Sequence, residues 1–241
     1  MELALVNGAR RRPSSGWRGC CPQCGEPVLA KCGEHKAWHW AHKSADCDPW
    51  SEGESAWHQG WKNYFPEEWR EVTMGDHRAD LLTPLGVIEL QNSPISSETI
   101  REREAFYGRM VWIVNAERFD LALHHEWRLR KLAAQLYKDE PARDLFWLLS
   151  DEAQKQEALY REKSSRVKAG HEADTHQELR WRWPSKSWLA ARKTIYLDRG
   201  DGELLQIRKV YAEGRYLTVT RVDAIEFIDA IRDAKPPKTA T

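Results

Sequence analysis

The stretch His77-Arg78-Ala79-Asp80-Leu81-Leu82, then Thr83-Pro84-Leu85-Gly86, then Val87-Ile88-Glu89-Leu90-Gln91 decides the fold. Two apolar runs of strand-like composition flank a Pro/Gly turn signal, the pattern of a β-hairpin. An even loop, either Pro84-Leu85 or Thr83 to Gly86, pairs Leu82 with Val87 and sets Asp80 opposite Glu89 and Arg78 opposite Gln91. Side chains alternate along a strand, so Arg78, Asp80, Glu89 and Gln91 share one face and Ala79, Leu81, Ile88 and Leu90 the other. Directly opposed like charges, about 4.5–5.5 Å apart at Cβ, are destabilising unless something offsets them. A hard divalent cation with oxygen ligands is one answer. The other is Arg78, neutralising both acids as a structural ion cluster on a solvated sheet face.

Outward from the hairpin, Ser51-Glu52-Gly53-Glu54 has the form of a capping box and predicts a helix over 55–65 bearing Trp57, Trp61, Tyr64 and Phe65. Glu54 and His58 then stand four apart on one face, where taken alone each more often has a plain role, a helix cap for Glu54 and a packed or exposed imidazole for His58. Residues 69–74 read as a strand. Ser96 or Ser97 caps a helix over 98–109, and 110–115 is an apolar strand. The order helix, three antiparallel strands, helix, strand indicates an α/β core.

Toward the N-terminus, all five Cys (20, 21, 24, 32 and 47) fall within residues 20–47, and the odd count argues against a disulfide framework. Cys21-Pro22-Gln23-Cys24-Gly25 is a zinc-knuckle half-site, followed after fourteen residues by His39-Trp40-Ala41-His42. Two thiolates and two imidazoles, Cys21, Cys24, His39 and His42, suit a closed tetrahedral Zn²⁺ shell in a structural role, with Cys20, Cys32, His35 and Cys47 as further candidates. Residues 3–10, centred on Asn7-Gly8, predict a short hairpin.

Toward the C-terminus, 117–169 reads as helix interrupted near Pro141, and 152–168 as a polar linker or exposed helix. Between Leu179 and Leu197 lie Arg180, Arg182, Lys186, Arg192 and Lys193 with no acid, interleaved with Trp181, Trp183 and Trp188. Such a pattern either stacks single-stranded nucleic acid or packs its Trp inward and leaves its cations solvated. Strands are expected over 194–198, 204–211 and 215–221, a helix over 224–231, and a frayed tail over 235–241.

At 241 residues and 41% hydrophobic content, the chain can bury a substantial core. No run approaches the ~20 apolar residues of a transmembrane helix. Residues 1–8 lack the features of a secretory leader, so a cytoplasmic location is expected. Lys+Arg equals Asp+Glu, which neither supports nor excludes a nucleic-acid partner. The thirteen Trp read mainly as core or interface anchors.

Asp80 on one strand and Glu89-Leu90-Gln91 on the next, in this element order, resemble the PD-(D/E)XK nuclease superfamily. The closer resemblance is to the competence protein CoiA family. It is carried by Cys-Pro-x-Cys-Gly with His-Trp-Ala-His, Glu54-Ser55 with His58 and Lys62, Arg78-Ala79-Asp80, Ile88 to Ser93, Ile95-Ser96, and Arg101 to Tyr107 ahead of Val111-Trp112-Ile113. The order is consistent over roughly residues 1–115. The resemblance implies a restriction-endonuclease-like α/β core at 51–150, a zinc-binding module at 1–50 and an α+β accessory region at 151–241. It further implies a nuclease acting on DNA with Mg²⁺ or Mn²⁺, in DNA uptake, recombination or defence. Asp80, Glu89 and the Leu90 carbonyl would bind the metal, Glu54 would assist, and His58 would contact phosphate or move a proton. Gln91 stands where the superfamily usually has Lys and would orient water without adding charge. Arg78, Ser93, Arg101, Arg103 and Tyr107 would meet the substrate, the last four at or near a helix start that favours phosphate. Local pairing of Arg101 and Arg103 with neighbouring Glu is the alternative for those two. For the chain as a whole, the alternative is a non-catalytic nucleic-acid-binding or interaction protein.

Overall fold

The computed structural model describes residues 1–44, 47–51, 53–123 and 176–235, which make a mixed α/β chain. In chain order the elements are β1 (Ala4–Val6), β2 (Ala9–Arg11), β3 (Arg18–Cys20), β4 (Pro27–Lys31), β5 (His39–His42), α1 (Ala56–Asn63), β6 (Arg70–Met74), β7 (His77–Thr83) and β8 (Gly86–Gln91). There follow α2 (Ser97–Tyr107), β9 (Met110–Asn115), β10 (Leu121–Leu123), β11 (His176–Trp181), β12 (Thr194–Asp198), β13 (Glu203–Tyr211), β14 (Tyr216–Asp223) and α3 (Ala224–Arg232). Of the described residues, 1–118, 190–204 and 222–235 form one compact unit, and 119–123, 176–189 and 205–221 another.

In the first unit the hairpin has the expected register: Leu81 faces Ile88, Leu82 faces Val87 and Thr83 faces Gly86. Gly86 has φ +124°, and a Cβ there would stand 2.5 Å from the Arg109 carbonyl, so the turn tolerates only glycine. Strand β6 adds antiparallel to β7. Helix α2 then carries the chain over so that β9 pairs parallel with β8, and β12 pairs parallel with β9. Alternation gives the sheet two different faces. Leu81, Ile88, Leu90 and Ile113 form a core with Trp61 of α1, Phe65 just after it, and Ile228 and Ile231 of α3. The opposite face, with Glu89 and Trp112, receives α2 through Arg103 and Glu104.

Helix α1 is capped by Ser55, whose Oγ accepts from the His58 amide, and not by the expected box at Ser51. Glu54 therefore precedes the cap and shares no helix face with His58. The buried positions His58, Trp61, Lys62 and Phe65 follow the i, i+3, i+4, i+7 rule. Helix α2 is capped by Ser96 and ends at Gly108, with Ile100, Arg103, Glu104 and Tyr107 turned inward.

The N-terminal residues of the same unit form a second sheet, ordered β2-β1-β3-β4-β5, over a small core of Met1, Ala4, Cys21, Val28 and Trp40. The expected turn at Asn7-Gly8 is present, both residues at positive φ. Sheet and core are stitched together by Glu71 of β6, whose carboxylate accepts from the Glu2 and Leu3 amides at 2.7 and 2.9 Å.

The second unit orders its strands β10-β11-β14-β13. Trp181 is buried and stacks on Phe119, whereas Trp183 is 74% exposed with the Arg182 guanidinium over its ring. The acid-free stretch finds acids elsewhere in the chain: Arg182 lies 3.5 Å from Asp120 and Lys186 2.7 Å from Glu213. Residues 121–123, expected to be helical, are strand β10. The break near Pro141, the polar run over 152–168 and the tail beyond 235 lie outside the described residues.

Candidate active site and metal centre

The hairpin brings its two acids together as its register requires. The Asp80 amide donates to Glu89 Oε1 at 3.2 Å, and the Leu90 amide donates to Asp80 Oδ2 at 3.0 Å. Each carboxylate thus caps backbone from the opposing strand, at the end of the hairpin away from the turn. A polar cleft opens there, lined among others by Trp50, Glu54, His58, Lys62, Arg78, Asp80, Glu89, Leu90 and Arg103.

Glu89 is 2% exposed. Burial, and then the neighbouring Asp80 charge, push its carboxyl up to about 8, despite the Arg103 guanidinium 2.9 Å from Oε2. Lys62 is 2% exposed and sits among three acids: Glu54 and Glu71 at 3.1 Å and Asp80 at 3.5 Å. Burial opposes its charge, but Glu71, Glu54 and Asp80 together hold its ammonium above the ordinary lysine range. Glu71 is held well below the ordinary carboxylate range: burial works against this and the Lys62 charge outweighs it. Arg78 is not the neutraliser that sequence offered as an alternative. Its backbone amide donates to Asp48 and its guanidinium to Ser51 Oγ at 3.3 Å, while Lys62 and Arg103 hold the two hairpin acids.

His58 is buried between two groups: Nδ1 lies 2.8 Å from Ser55 Oγ and Nε2 3.2 Å from the Leu90 carbonyl. With the Ser55 hydroxyl donating to Nδ1, Nε2 carries the proton and donates to Leu90. Gln91 is buried, and its Nε2 donates to the Ser93 carbonyl at 2.9 Å.

The residues expected at the helix start are spread out. Ser93 and Arg101 are exposed. Arg103 and Tyr107 lie on the buried face of the second half of α2, beyond the reach of its N-terminal dipole. Arg103 donates to Glu89 and to the Trp50 carbonyl, so it supports the acid from within. The Tyr107 hydroxyl is raised above its ordinary range by burial and the Glu89 charge.

The N-terminal cluster is Cys21, Cys24, His42 and Cys47, whose ligand atoms all lie within 4.8 Å of one another. His39 is not part of it. Three positions from His42 on β5, it points to the other face, and its Nδ1 meets the Ala37 carbonyl at 2.8 Å. The fourth position is taken by Cys47. Cys21 Sγ and Cys47 Sγ are 3.8 Å apart, and Cys24 Sγ is 3.3 Å from His42 Nε2. A tetrahedron with Zn–S bonds of about 2.3 Å has S···S edges of about 3.8 Å, whereas a disulfide needs about 2.05 Å. The Cys47 thiol is pushed up to about 12 by burial and by the Cys24 and Cys21 sulfurs, a concentration of thiols that a cation would relieve. Burial opposes a Cys21 thiolate, but the Cys24 and Gln23 amides outweigh it and lower the thiol below its usual value. The group could hold a metal such as zinc. Among the described residues it is the one set of three or more His, Cys, Asp or Glu drawn so close.

Sequence reasoning passed over the roles of Lys62, Glu71 and Asp48. Lys62 carried a readable signal, since it completes the buried i, i+4 pair with His58 on α1. Asp48-Pro49 carries a turn signature: the Ser51 amide donates to the Asp48 carbonyl, and the Trp50 amide to Asp48 Oδ1. Glu71 carried none.

Two family models match the chain and together cover more than half of it. The model described as competence protein CoiA, N-terminal domain, matches residues 17–49, and that described as competence protein CoiA, nuclease-like domain, matches residues 72–180. No curated protein and no solved structure matches.

Proposed function

The chain belongs to the competence protein CoiA-like family, and from that premise we propose that it is a metal-dependent nuclease hydrolysing phosphodiester bonds of DNA. The observation that carries the reading is the pair of acids on adjacent strands, Asp80 and Glu89, at the head of a polar cleft. The order α1, β6-β7-β8, α2, β9 supports a PD-(D/E)XK core, with residues 1–50 as a zinc module before it. Of the expected accessory region at 151–241, β12 and α3 pack into the unit that holds this core. No helix among the described residues is long and apolar enough to cross a membrane.

The donor set suits Mg²⁺ or Mn²⁺. Asp80, Glu89 and the Leu90 carbonyl offer hard oxygens at one cleft. The Glu89 carboxyl is raised by burial and then by the Asp80 charge, a repulsion that a cation would offset. When bound there, the cation polarises a phosphate oxygen and makes its own water more acidic. The chain's residues do the remaining work. His58 Nε2 holds the Leu90 carbonyl. Glu54 and Glu71 keep Lys62 beside Asp80, so the cationic side chain at the cleft comes from α1, while residue 91 is a neutral amide tied to the backbone. Arg78, lining the cleft, and Arg101, on the surface, remain to meet phosphate.

One observation favours a second reading, a nucleic-acid-binding protein without catalysis: both acids already have cationic partners, Lys62 and Arg103. A cleavage assay on plasmid and oligonucleotide DNA with Mg²⁺, Mn²⁺ or EDTA separates the two. The nuclease reading expects cleavage that EDTA abolishes and that Asp80→Ala and Glu89→Ala each remove. Binding without cleavage under either metal establishes the second reading.

A further inference from the structure

The cysteine cluster and the carboxylate cleft share a piece of chain. Cys47 is a ligand-bearing residue of the first, and Trp50, Ser51, Gly53 and Glu54 wall the second. Between them stands Asp48, 3% exposed, with both carboxylate oxygens engaged. Oδ1 accepts from the Trp50 amide at 2.9 Å and lies 2.9 Å from His77 Nδ1. Oδ2 accepts from the Arg78 amide at 2.8 Å. Asp48 thus closes a Pro49 turn on its own side and grips β7 at His77 and Arg78, two residues before Asp80. The far side of the turn is held as firmly. The Trp50 ring stacks on the His77 ring at 3.2 Å, its carbonyl accepts from Arg103, and Arg103 reaches Glu89. A continuous series of contacts therefore runs from Cys47 through Asp48 and Trp50 to both hairpin acids.

We propose that the metal at the cysteine cluster is an organising element of the carboxylate cleft, with Asp48 as the joint through which its occupancy positions Asp80 and Glu89. The cluster metal fixes Cys47, and with it the adjacent Asp48. Its loss frees the 47–51 segment, releases the Arg78 amide and the His77 ring, and removes the carbonyl that anchors Arg103 behind Glu89. Asp48 is a positioning residue here, touching neither metal. Partners that orient metal ligands in this way typically carry about 10–100-fold in affinity.

The inference rests on the nuclease reading only for its catalytic consequence, so the test has an arm independent of cleavage. In the full chain, amide hydrogen exchange is compared with the cluster zinc-loaded and stripped. Faster exchange on stripping is expected over 48–51 and at 77–81, and unchanged exchange at 77–81 overturns the proposal. Asp48→Asn keeps the shape but turns one acceptor into a donor facing an N–H. This variant is expected to retain its zinc, to exchange faster at Arg78, and to bind Mn²⁺ alone at the cleft about tenfold more weakly by calorimetry. Its cleavage rate is expected to recover at saturating Mn²⁺, which a general loss of stability would not allow. Zinc retained with wild-type exchange at Arg78 overturns the role of Asp48. If the wild type cleaves nothing, the nuclease reading fails, while the exchange comparison still decides the coupling.

Discussion

Lys62 puts one ammonium within 3.5 Å of three carboxylates in a place nearly closed to solvent. Removing one partner of a buried ion pair strands the other charge, a loss of about 3–5 kcal/mol. Lys62→Met is therefore expected to lower unfolding stability by about that much in urea titrations. Lys62→Arg, retaining the charge in a wider fork, is expected to lose less. Glu89 gives the cleft a pH dependence of unusual sign. Its folded carboxyl is raised to about 8 against an ordinary 4.5, so the folded state holds the extra proton between those values. Stability from this group is fully present below pH 4.5 and is lost as pH rises toward 8. Melting temperatures across pH 5 to 8, without divalent cation, should fall in the wild type and flatten in Glu89→Gln. Divalent binding displaces the same proton, so Mn²⁺ affinity should strengthen as pH rises over that window. The hairpin acids themselves were readable from residue type and strand alternation. Their cationic partners were not, because Lys62 and Arg103 lie 18 and 14 residues from the acids they meet, and no local pattern records such a meeting.

Among the elements, the hairpin and α1 are the ones that local chemistry specifies most strongly. Gly86 supplies a backbone angle and a clearance that no Cβ can share, so Gly86→Ala is expected to lose about 1–3 kcal/mol of stability. Ser55 both caps α1 and supports His58 Nδ1. Ser55→Ala should cost about 1 kcal/mol in stability, and should also change the ¹⁵N chemical shift of His58 Nδ1, which loses its hydroxyl partner, a change that loss of a cap alone would not produce. Strands β1, β2, β6 to β9 and β12 to β14 were legible to within a residue or two because period-two alternation and Pro/Gly punctuation leave little choice. By contrast, β3, β4, β5 and β11 were not read as strands and β10 was read as helix. Helix interiors were less legible. The buried stripe of α2 carries Arg103 and Glu104, and that of α1 carries His58 and Lys62. Periodicity therefore finds the helix, yet residue type suggests the wrong side for its polar members. Arg103 was expected to face substrate for that reason and instead backs Glu89.

At the scale of the whole molecule, residues 1–44 and 47–51 are more than an appendage to the α/β core. Glu71 holds the Glu2 and Leu3 amides and Asp48 holds β7, so the small sheet and the hairpin share buried polar contacts. A sheet that small buries little core of its own, and its Cys21, Cys24, His42 and Cys47 group could hold a stabilising metal such as zinc. Stripping zinc with a strong chelator is expected to lower the melting temperature of the full chain, and replacing zinc should restore it. Exchange of His42→Ala and His39→Ala should separate the ligand from its neighbour: the first loses zinc on metal analysis and the second keeps it. Alternation, turn residues and Cys spacing are short-range properties, and from them came the hairpin register, the facing acids, the succession of helix, three antiparallel strands, helix and strand, and a cysteine-rich group that could hold a metal. The fourth member of the cysteine cluster, the ammonium among three acids, the guanidinium behind Glu89 and the Asp48 contacts with β7 arise where distant segments meet. Each is a buried charge or thiol whose partner is selected by burial and distance in three dimensions, and spacing along the chain carries no trace of that selection.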